Sequence, residues 1–306
     1  MLPLLQSKIE TEEIILDGLR VNLAVKEDGS SNWEDLGSDQ SSGPPPEVSQ
    51  HVKYSMPSVA GVNISDALID YQDKQAGIHY RLSGFSLKTG ALGTVSAVPV
   101  TMTMALEDFE AGSRVQMELS ADAEFDAENK MLNLPNLQMQ LDETRVEGEL
   151  ALQLLDAALP ALRFDLDMDQ LDLDRYMSST DSGETTEAGA DVAIPQDELA
   201  GLDVDGTLRV ASLSAMGMNL TDATLGVTLK NSNLRLNPLQ ASFYGGQYSG
   251  DISLDAAGSK PRLSINENLA SAAFSQMASD LMGYDQVSGS AYGKLQAAGT
   301  GATSSE

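Results

Sequence analysis

The sequence predicts a mainly all-β protein: an elongated, curved antiparallel β-meander that forms a repeating β-groove, with one or two short helices. The first observation behind this fold class is the alternation of apolar and polar residues in segment after segment, which is typical of half-buried strands. In residues 223–229, for example, every second residue is apolar. The second observation is the scarcity of helical spacing. Because parallel α/β folds need helices on both sheet faces, the sequence excludes them.

The alternating strands follow one another along the chain, and short polar turns separate them. They cover residues 14–25, 67–71, 78–82, 98–106, 115–123, 131–141, 146–152, 164–168, 202–210, 223–229, 234–243 and 248–254. Near the end of this series, residues 231–233 (Asn-Ser-Asn) turn the chain, and Gly245 with Gly246 is typical of a tight hairpin turn. Pro238 interrupts the strand between these two turns. Each hairpin therefore has one apolar face.

One stretch, predicted over 271–282, has the spacing of a helix. Phe274, Met277, Ala278 and Leu281 lie on one helical face, and Gly283 follows as a stop. The polar face lacks the Lys and Arg residues of helices that bind membrane surfaces, so we expect this helix to cap exposed strands. Short helical turns are also predicted at 1–6 and 173–177.

Two segments have compositions that cannot pack a core. Residues 37–52 contain a Ser/Gly run and three consecutive prolines, and residues 178–194 are rich in Ser, Thr, Gly and acidic residues. They separate a first strand block at 1–36, a central β-meander at 53–177, a second β-meander at 195–267, and an amphipathic helix with a truncated tail at 268–306. The abrupt start and the small-residue tail predict a piece of a longer protein.

Composition restricts the possible functions. Hydrophobic residues make up 42% of the chain, but aromatic residues only 5%, and there are 13 methionines. This composition favours an adaptable apolar wall over a closely packed core. The net charge of -28 disfavours nucleic acid and anionic membrane surfaces as partners. The absence of Cys excludes disulfides, thiol nucleophiles and thiolate metal sites.

The sequence contains no motif of a catalytic or cofactor site. No GxSxG, HExxH or phosphate-binding glycine loop is present, so we predict no catalytic, cofactor-binding or metal-binding residues and no cofactor. His51 and His79 are the two histidines, and we interpret both as surface residues. Trp33 is interpreted as a plug at the end of the sheet, with contact to lipid or to a partner as the alternative.

The most site-like cluster is the ladder of Asp165, Asp167 and Asp169 on one strand face. Calcium could neutralise three such carboxylates. However, the glycine and the final glutamate of an EF-hand are missing, and Arg163 heads the same face. This pattern favours a solvated strand face and leaves cation binding open.

Three phrases together resemble the AsmA family of Gram-negative envelope proteins. PLLQSKIETEEIILDGLRVNLAVKEDGSSNWEDL at 3–36 is similar to the family's passage of strand, turn and Asn-Trp. FDLDMDQLDLDRYM at 164–177 resembles its strand followed by Asp-Arg-Tyr. LRLNPLQASFYGGQYSGDISLD at 234–255 is similar to the Asn-Pro and Tyr-Gly-Gly turn of its later repeats. The resemblance spans most of the chain except the two linkers.

This resemblance implies a periplasmic protein anchored to the inner membrane, related to TamB-like bridge proteins, that supports outer-membrane assembly and passes phospholipid along a β-walled groove. Family members begin with a membrane helix and continue past the position of Glu306. We therefore expect an interior fragment whose membrane association depends on the missing N-terminal anchor. The family supplies no catalytic residues.

The leading hypothesis is thus a non-enzymatic envelope protein that shelters or conducts phospholipid acyl chains. A regulatory or structural scaffold that affects protein targeting to the membrane, with envelope proteins as partners, is the alternative, and an acid-pair hydrolase is a third. The residues predicted to form the lipid-facing wall are Leu19, Val21, Leu23, Val100, Met102, Met104, Leu225, Val227, Leu229, Leu234, Leu236 and Phe243. The residues do not indicate which lipid binds or in which direction it moves.

Overall fold

A computed structural model describes residues 10–11, 13–34, 58–92, 97–126, 128–153, 160–177, 199–215, 217–258, 260–284 and 286–301. The predicted segments 1–6, 37–52 and 178–194, together with His51, lie outside these residues. The chain divides into two compact units, Met1–Ser120 and Ala121–Glu306. The strand β8 (Ser113–Asp126) begins in the first unit and ends in the second.

The first unit contains a sheet in which the strand order is β7-β6-β5-β2, with β3 also beside β5. Its strands are β1 (Glu10–Thr11), β2 (Ile14–Asp17), β3 (Arg20–Val25), β4 (Ser58–Val59), β5 (Val62–Asp73), β6 (Ile78–Thr89) and β7 (Val98–Asp108). β5, β6 and β7 are antiparallel neighbours, whereas β2 and β3 both run parallel to β5. β1 and β4 form a separate parallel pair.

Asn32 hydrogen-bonds to the backbone of β3 in the first unit. The Ala24 amide donates to Asn32 Oδ1 at 2.9 Å, and Asn32 Nδ2 donates to the Asn22 carbonyl at 2.9 Å. These bonds satisfy backbone groups that an edge strand would otherwise leave unpaired. The next residue, Trp33, is half-buried, and its ring centroid is 6.3 Å from that of Tyr71. Trp33 therefore packs against Tyr71 of β5.

The second unit contains a sheet in which β9 to β17 lie side by side in chain order. Its elements are β9 (Met131–Leu141), β10 (Thr144–Gln153), β11 (Ala161–Asp172), α1 (Leu173–Met177), β12 (Asp203–Ala215), β13 (Met218–Lys230), β14 (Asn233–Phe243), β15 (Gly246–Asp255), β16 (Arg262–Ala273), α2 (Phe274–Met282) and β17 (Ser290–Thr300). All neighbours are antiparallel except β11 and β12, which are parallel.

The predicted fold class is confirmed: the chain is mainly all-β, most strand pairs are antiparallel, and the described residues include two short helices. The parallel pairs were not predicted, because alternation identifies a strand but not the direction of its neighbour. The helical turn at 173–177 is confirmed as α1. α2 ends where expected, since Gly283 takes a left-handed conformation and its amide donates to the Ser279 carbonyl.

Three element boundaries differ from the prediction. Residues 271–273 belong to β16 rather than to the helix, and the tight turn after β14 consists of Tyr244 and Gly245, so that Gly246 starts β15. Residues 290–300 of the expected tail form β17, which pairs with β16. Most side chains of β17 are exposed on both faces. Such an edge strand has no buried face and therefore no clear alternating pattern.

The buried interior of the second unit is thin. Its buried apolar side chains are mainly small, such as Ala161, Ala241, Ala272 and Ala278. The substantial contacts between elements run from strand to neighbouring strand, apart from α1 against β12 and α2 against β13 and β16. In the part of this unit that the structure describes, the sheet therefore has no second sheet packed on its face.

Candidate functional site

Cross-strand pairing in the second unit aligns apolar residues into continuous rows on one side of the sheet. Residues paired across adjacent strands point to the same side, so each row lies on one face. The first row runs from β9 to β16 through Leu132, Leu152, Leu162, Val204, Leu229, Leu234, Leu254 and Leu263. The second row runs from β9 to β17 through Leu134, Leu150, Phe164, Gly206, Val227, Leu236, Ile252, Ile265 and Ala297. The third row runs beside it through Leu137, Gly148, Leu166, Leu208, Leu225, Leu239, Gly250, Glu267 and Leu295. We call this side the aliphatic face.

The aliphatic face is only partly withdrawn from solvent. Leu229 is buried, but its row neighbours Leu234 and Leu254 are half-buried, and Leu263 is 39% exposed. A large apolar surface that stays open in a folded chain is characteristic of a binding surface.

A groove of about 770 Å³ lies on this face near its β12–β17 end. Its apolar lining residues are Leu213, Ala215, Met218, Leu220, Leu239, Phe243, Leu269 and Leu295, and Tyr248, Glu267, Asn268, Gly293 and Lys294 complete it. The volume falls within the range of about 300–1,000 Å³ typical of small-molecule sites. The groove thus has the size and the polarity for one apolar chain or a small amphiphile.

Two polar side chains meet within the groove. Tyr248 on β15 donates a hydrogen bond to the carboxylate of Glu267 on β16. Its hydroxyl oxygen lies over Gly250, the residue opposite Glu267 in the ladder, where no side chain blocks its approach. Burial of the ring, together with the charge of Glu267 and this hydrogen bond, raises the pKa of Tyr248 to about 12.

Six predicted wall residues lie in the second unit, where the structure brings most of them together. Leu229 pairs directly with Leu234, and Val227 pairs with Leu236. Leu225 lies in the next row, opposite Leu208. Phe243 pairs with Leu220 and lines the groove itself.

The other wall residues lie in the first unit and form shorter rows there. Val21 leads through Ile69 and Leu82 to Leu106, and Leu23 pairs with Tyr71. On β7, Val100 pairs with Thr89 and Met102 with Leu87, while Met104 falls where the register shifts. Leu19 lies between β2 and β3, outside the ladder, and is 42% exposed.

Several groove residues are absent from the predicted wall. Leu213, Leu220, Leu269 and Leu295 line the groove, as does Glu267. A signal for Glu267 exists in the sequence, because it shares alternate positions with Leu263, Ile265 and Leu269. An isolated carboxylate in such a series is easily mistaken for a residue of the polar face, and only the cross-strand register assigns it to the aliphatic face.

The opposite, polar face of the second unit holds the aspartate ladder. The Arg209 guanidinium forms a salt bridge with the Asp165 carboxylate and lies 3.5 Å from the Asp167 carboxylate. The hydrogen bond from Arg209 lowers the pKa of Asp165, burial opposes this shift, and the charge of Arg209 adds to it. Asp169 instead accepts the Arg145 amide at 2.8 Å. These carboxylates thus have partners within the protein, and the described residues contain no group of three or more metal-binding side chains.

His79 in the first unit belongs to a network on the polar face of β5 and β6. Its Nε2 lies 3.1 Å from Asp70 Oδ1, and its ring stacks on Phe109 with centroids 4.2 Å apart. Arg81 contacts Asp70 at 2.8 Å and lies over the same Phe109 ring. His79 is therefore half-buried and paired with a carboxylate rather than an isolated surface residue.

Comparison with known proteins gives a family match. The sequence model of the AsmA family matches residues 1–131 and residues 116–306, which together span the whole chain. The chain belongs to the AsmA family. No curated protein and no solved structure matches it. Membership of the AsmA family is consistent with a role in the biogenesis of the envelope or of the outer membrane.

Within the phrases that resemble the AsmA family, the Asn-Trp, Asp-Arg-Tyr and Tyr-Gly-Gly motifs lie where strands are joined. Asn32 and Trp33 pack against β3 and β5, and Asp174 of α1 accepts the Gly217 amide at 2.8 Å. Tyr244 and Gly245 turn the chain from β14 into β15. These turn residues shape the sheet, whereas Leu239, Phe243 and Tyr248 of the third phrase line the groove. Among the described residues of this AsmA-family chain, neither helix has the length and apolarity needed to span a membrane.

Proposed function

We propose that this AsmA-family chain is a non-enzymatic envelope protein that shelters or conducts phospholipid acyl chains along its aliphatic face in the periplasm, at the inner membrane. The observation that carries the proposal is the aliphatic face itself. Its rows are continuous from β9 to β16, most of their side chains are half-buried, and a groove of about 770 Å³ lies on it.

The energetics of such a surface suit an acyl chain. Burial of apolar groups stabilises a complex by about 0.8 kcal/mol per methylene, and this attraction has no preferred direction. Rows of Leu, Val and Ile therefore hold an acyl chain without fixing its position along the row. Because directional polar contacts would resist movement, their scarcity on the aliphatic face favours a chain that slides from strand to strand.

The proposed role needs no bond-making step. Two carboxylates of the polar face are already engaged by arginines: Asp165 forms a salt bridge with Arg209, and Asp251 forms one with Arg235 at 2.6 Å. Hydrogen bonding from these arginines lowers the pKa of each carboxyl, so neither is set up to donate a proton at neutral pH.

Lipid extraction followed by mass spectrometry of the purified chain tests the proposal. We expect phospholipid to be recovered in about equimolar amount, because the open aliphatic face retains it through purification. Protein that is folded by circular dichroism yet free of lipid, and that stays lipid-free after incubation with phospholipid vesicles, would overturn the proposal. That result would leave the scaffold alternative, in which the sheet acts by docking envelope proteins.

A further inference from the structure

The groove contains a charge that an acyl-chain surface does not require. Along the three rows of the aliphatic face that the structure describes from β9 to β17, Glu267 is the one charged residue. Its hydrogen-bond donor is the neutral hydroxyl of Tyr248. Glu267 is half-buried, and a carboxylate that loses part of its hydration on an apolar surface gains from a cation that replaces it.

The described residues do not supply this cation. Lys294 also lines the groove, but it lies opposite Asn268 rather than Glu267 in the ladder, and among the described residues no ion pair joins it to Glu267. Glu267 itself pairs with Leu295 and Gly250 on the aliphatic side. Charge complementarity therefore calls for a positive group on the ligand.

We propose that Glu267, held by Tyr248, is a headgroup site that selects lipids with a primary ammonium group, such as phosphatidylethanolamine, over lipids with an anionic headgroup. The ammonium binds the free carboxylate oxygen of Glu267, while the hydroxyl of Tyr248 holds the other side of the carboxylate. This inference rests on the proposed function, since it assigns a headgroup to the lipid whose chains the groove shelters.

The dimensions of the groove agree with this placement. Neighbouring strands are about 4.8 Å apart, so β12 lies about 19 Å from β16 along the sheet. An acyl chain spans one leaflet, about half of a 30 Å hydrocarbon core. A lipid whose headgroup is at Glu267 thus extends its chain across Leu239 to Leu220 on β13, about 14 Å from β16, where the lining is aliphatic.

Binding of two short-chain lipids to the full chain tests the inference. The probes are dioctanoyl phosphatidylethanolamine and dioctanoyl phosphatidylglycerol, measured by isothermal titration calorimetry with the wild type, Glu267→Gln and the matched control Glu149→Gln. Glu149 is exposed on the polar face of the same sheet. The Glu267→Gln substitution preserves the side-chain length, and the new amide oxygen can still accept the hydrogen bond from Tyr248.

We expect the wild type and Glu149→Gln to prefer phosphatidylethanolamine by about tenfold, the effect of one charge-assisted hydrogen bond. Glu267→Gln should lose this preference through weaker binding of phosphatidylethanolamine alone. If both lipids bind the wild type equally, or if Glu267→Gln retains the preference, headgroup selection is wrong while the lipid groove stands. If neither lipid binds the folded wild type, both the headgroup site and the proposed function fail.

Discussion

Tyr248 and Glu267 form a hydrogen bond across the β15–β16 pair, on the otherwise aliphatic side of the sheet. Gly250 makes room for it, because the Tyr248 hydroxyl lies 3.2 Å from the position that a Cβ would occupy at this glycine. The contact fixes the position of Glu267, the one charged residue along the three described rows, relative to β15.

The titration of Tyr248 reports on this contact. Its pKa is about 12 in the folded chain, against 10.0 for an ordinary tyrosine, so the protonated form stabilises the fold. That contribution is complete below pH 10 and is lost as the pH rises from 10 to 12. In Glu267→Gln we expect a lower pKa of Tyr248 that still exceeds 10, because burial remains. NMR titration of the Tyr248 ring carbon measures it, with Tyr248→Phe for assignment. An identical pKa in both proteins would rule out the contact.

Leu229 is the most buried residue of its row, and its truncation tests the packing of the sheet. It is 5% exposed between Val204 and Leu234. Leu229→Ala should reduce the free energy of unfolding by about 2–5 kcal/mol, because it leaves a cavity. Leu263→Ala, in the same row at 39% exposure, is the matched control and should cost clearly less. Equal losses of stability in urea denaturation would contradict the described burial.

Gly148 tests the register of β9, β10 and β11. Its φ is 145°, and an added Cβ would collide with the carbonyl of Asp165 on β11. Gly148→Ala should therefore lower the free energy of unfolding by more than about 1 kcal/mol. Gly299→Ala is the control, because its Cβ would meet nothing within 4 Å. Thermal unfolding of both variants measures the difference, and equal midpoints would show that the strands pair differently.

Asp70 provides a test in the first unit. Burial raises its pKa, but the hydrogen bonds from Arg81 and His79 outweigh burial and lower the pKa below 3.8. The ionised form therefore stabilises the fold above pH 3.8, and this stability is lost as the pH falls through the lowered pKa. Arg81→Ala should raise the pKa of Asp70 in an NMR titration. Arg114→Ala, which removes the partner of Glu107 instead, should leave it unchanged. The same pKa for Asp70 in wild type and Arg81→Ala would refute the network.

Local patterns in the sequence predicted the strands well because each strand has one apolar side. The alternation of Leu225, Val227 and Leu229 is the same alternation that the ladder displays. The turn after β13 was also predicted, although it uses Asn231 and Ser232 alone and Asn233 already belongs to β14. Such features depend on a few consecutive residues, which the sequence shows directly.

Features that depend on distant residues could not be predicted in this way. The parallel pairing of β11 with β12 depends on the return of the chain after α1, and no local pattern specifies it. Pro238 lies within β14 because the β13–β14 and β14–β15 ladders both shift register beside it. The placement of Glu267 in the groove likewise requires the order of β14 to β17, and this order arises from the whole sheet.

Binding of a fluorescent phospholipid to variants of one cross-strand pair tests the lipid role most directly. Val227 and Leu236 face each other on the aliphatic face, whereas Thr228 lies next to Val227 on the exposed polar face. Val227→Asp and Leu236→Asp should each weaken binding at least about tenfold, because a carboxylate on the wall resists contact with an acyl chain. The matched control Thr228→Asp should bind like the wild type. If Val227→Asp and Leu236→Asp fold and bind phospholipid as tightly as Thr228→Asp does, the aliphatic face is not a lipid surface.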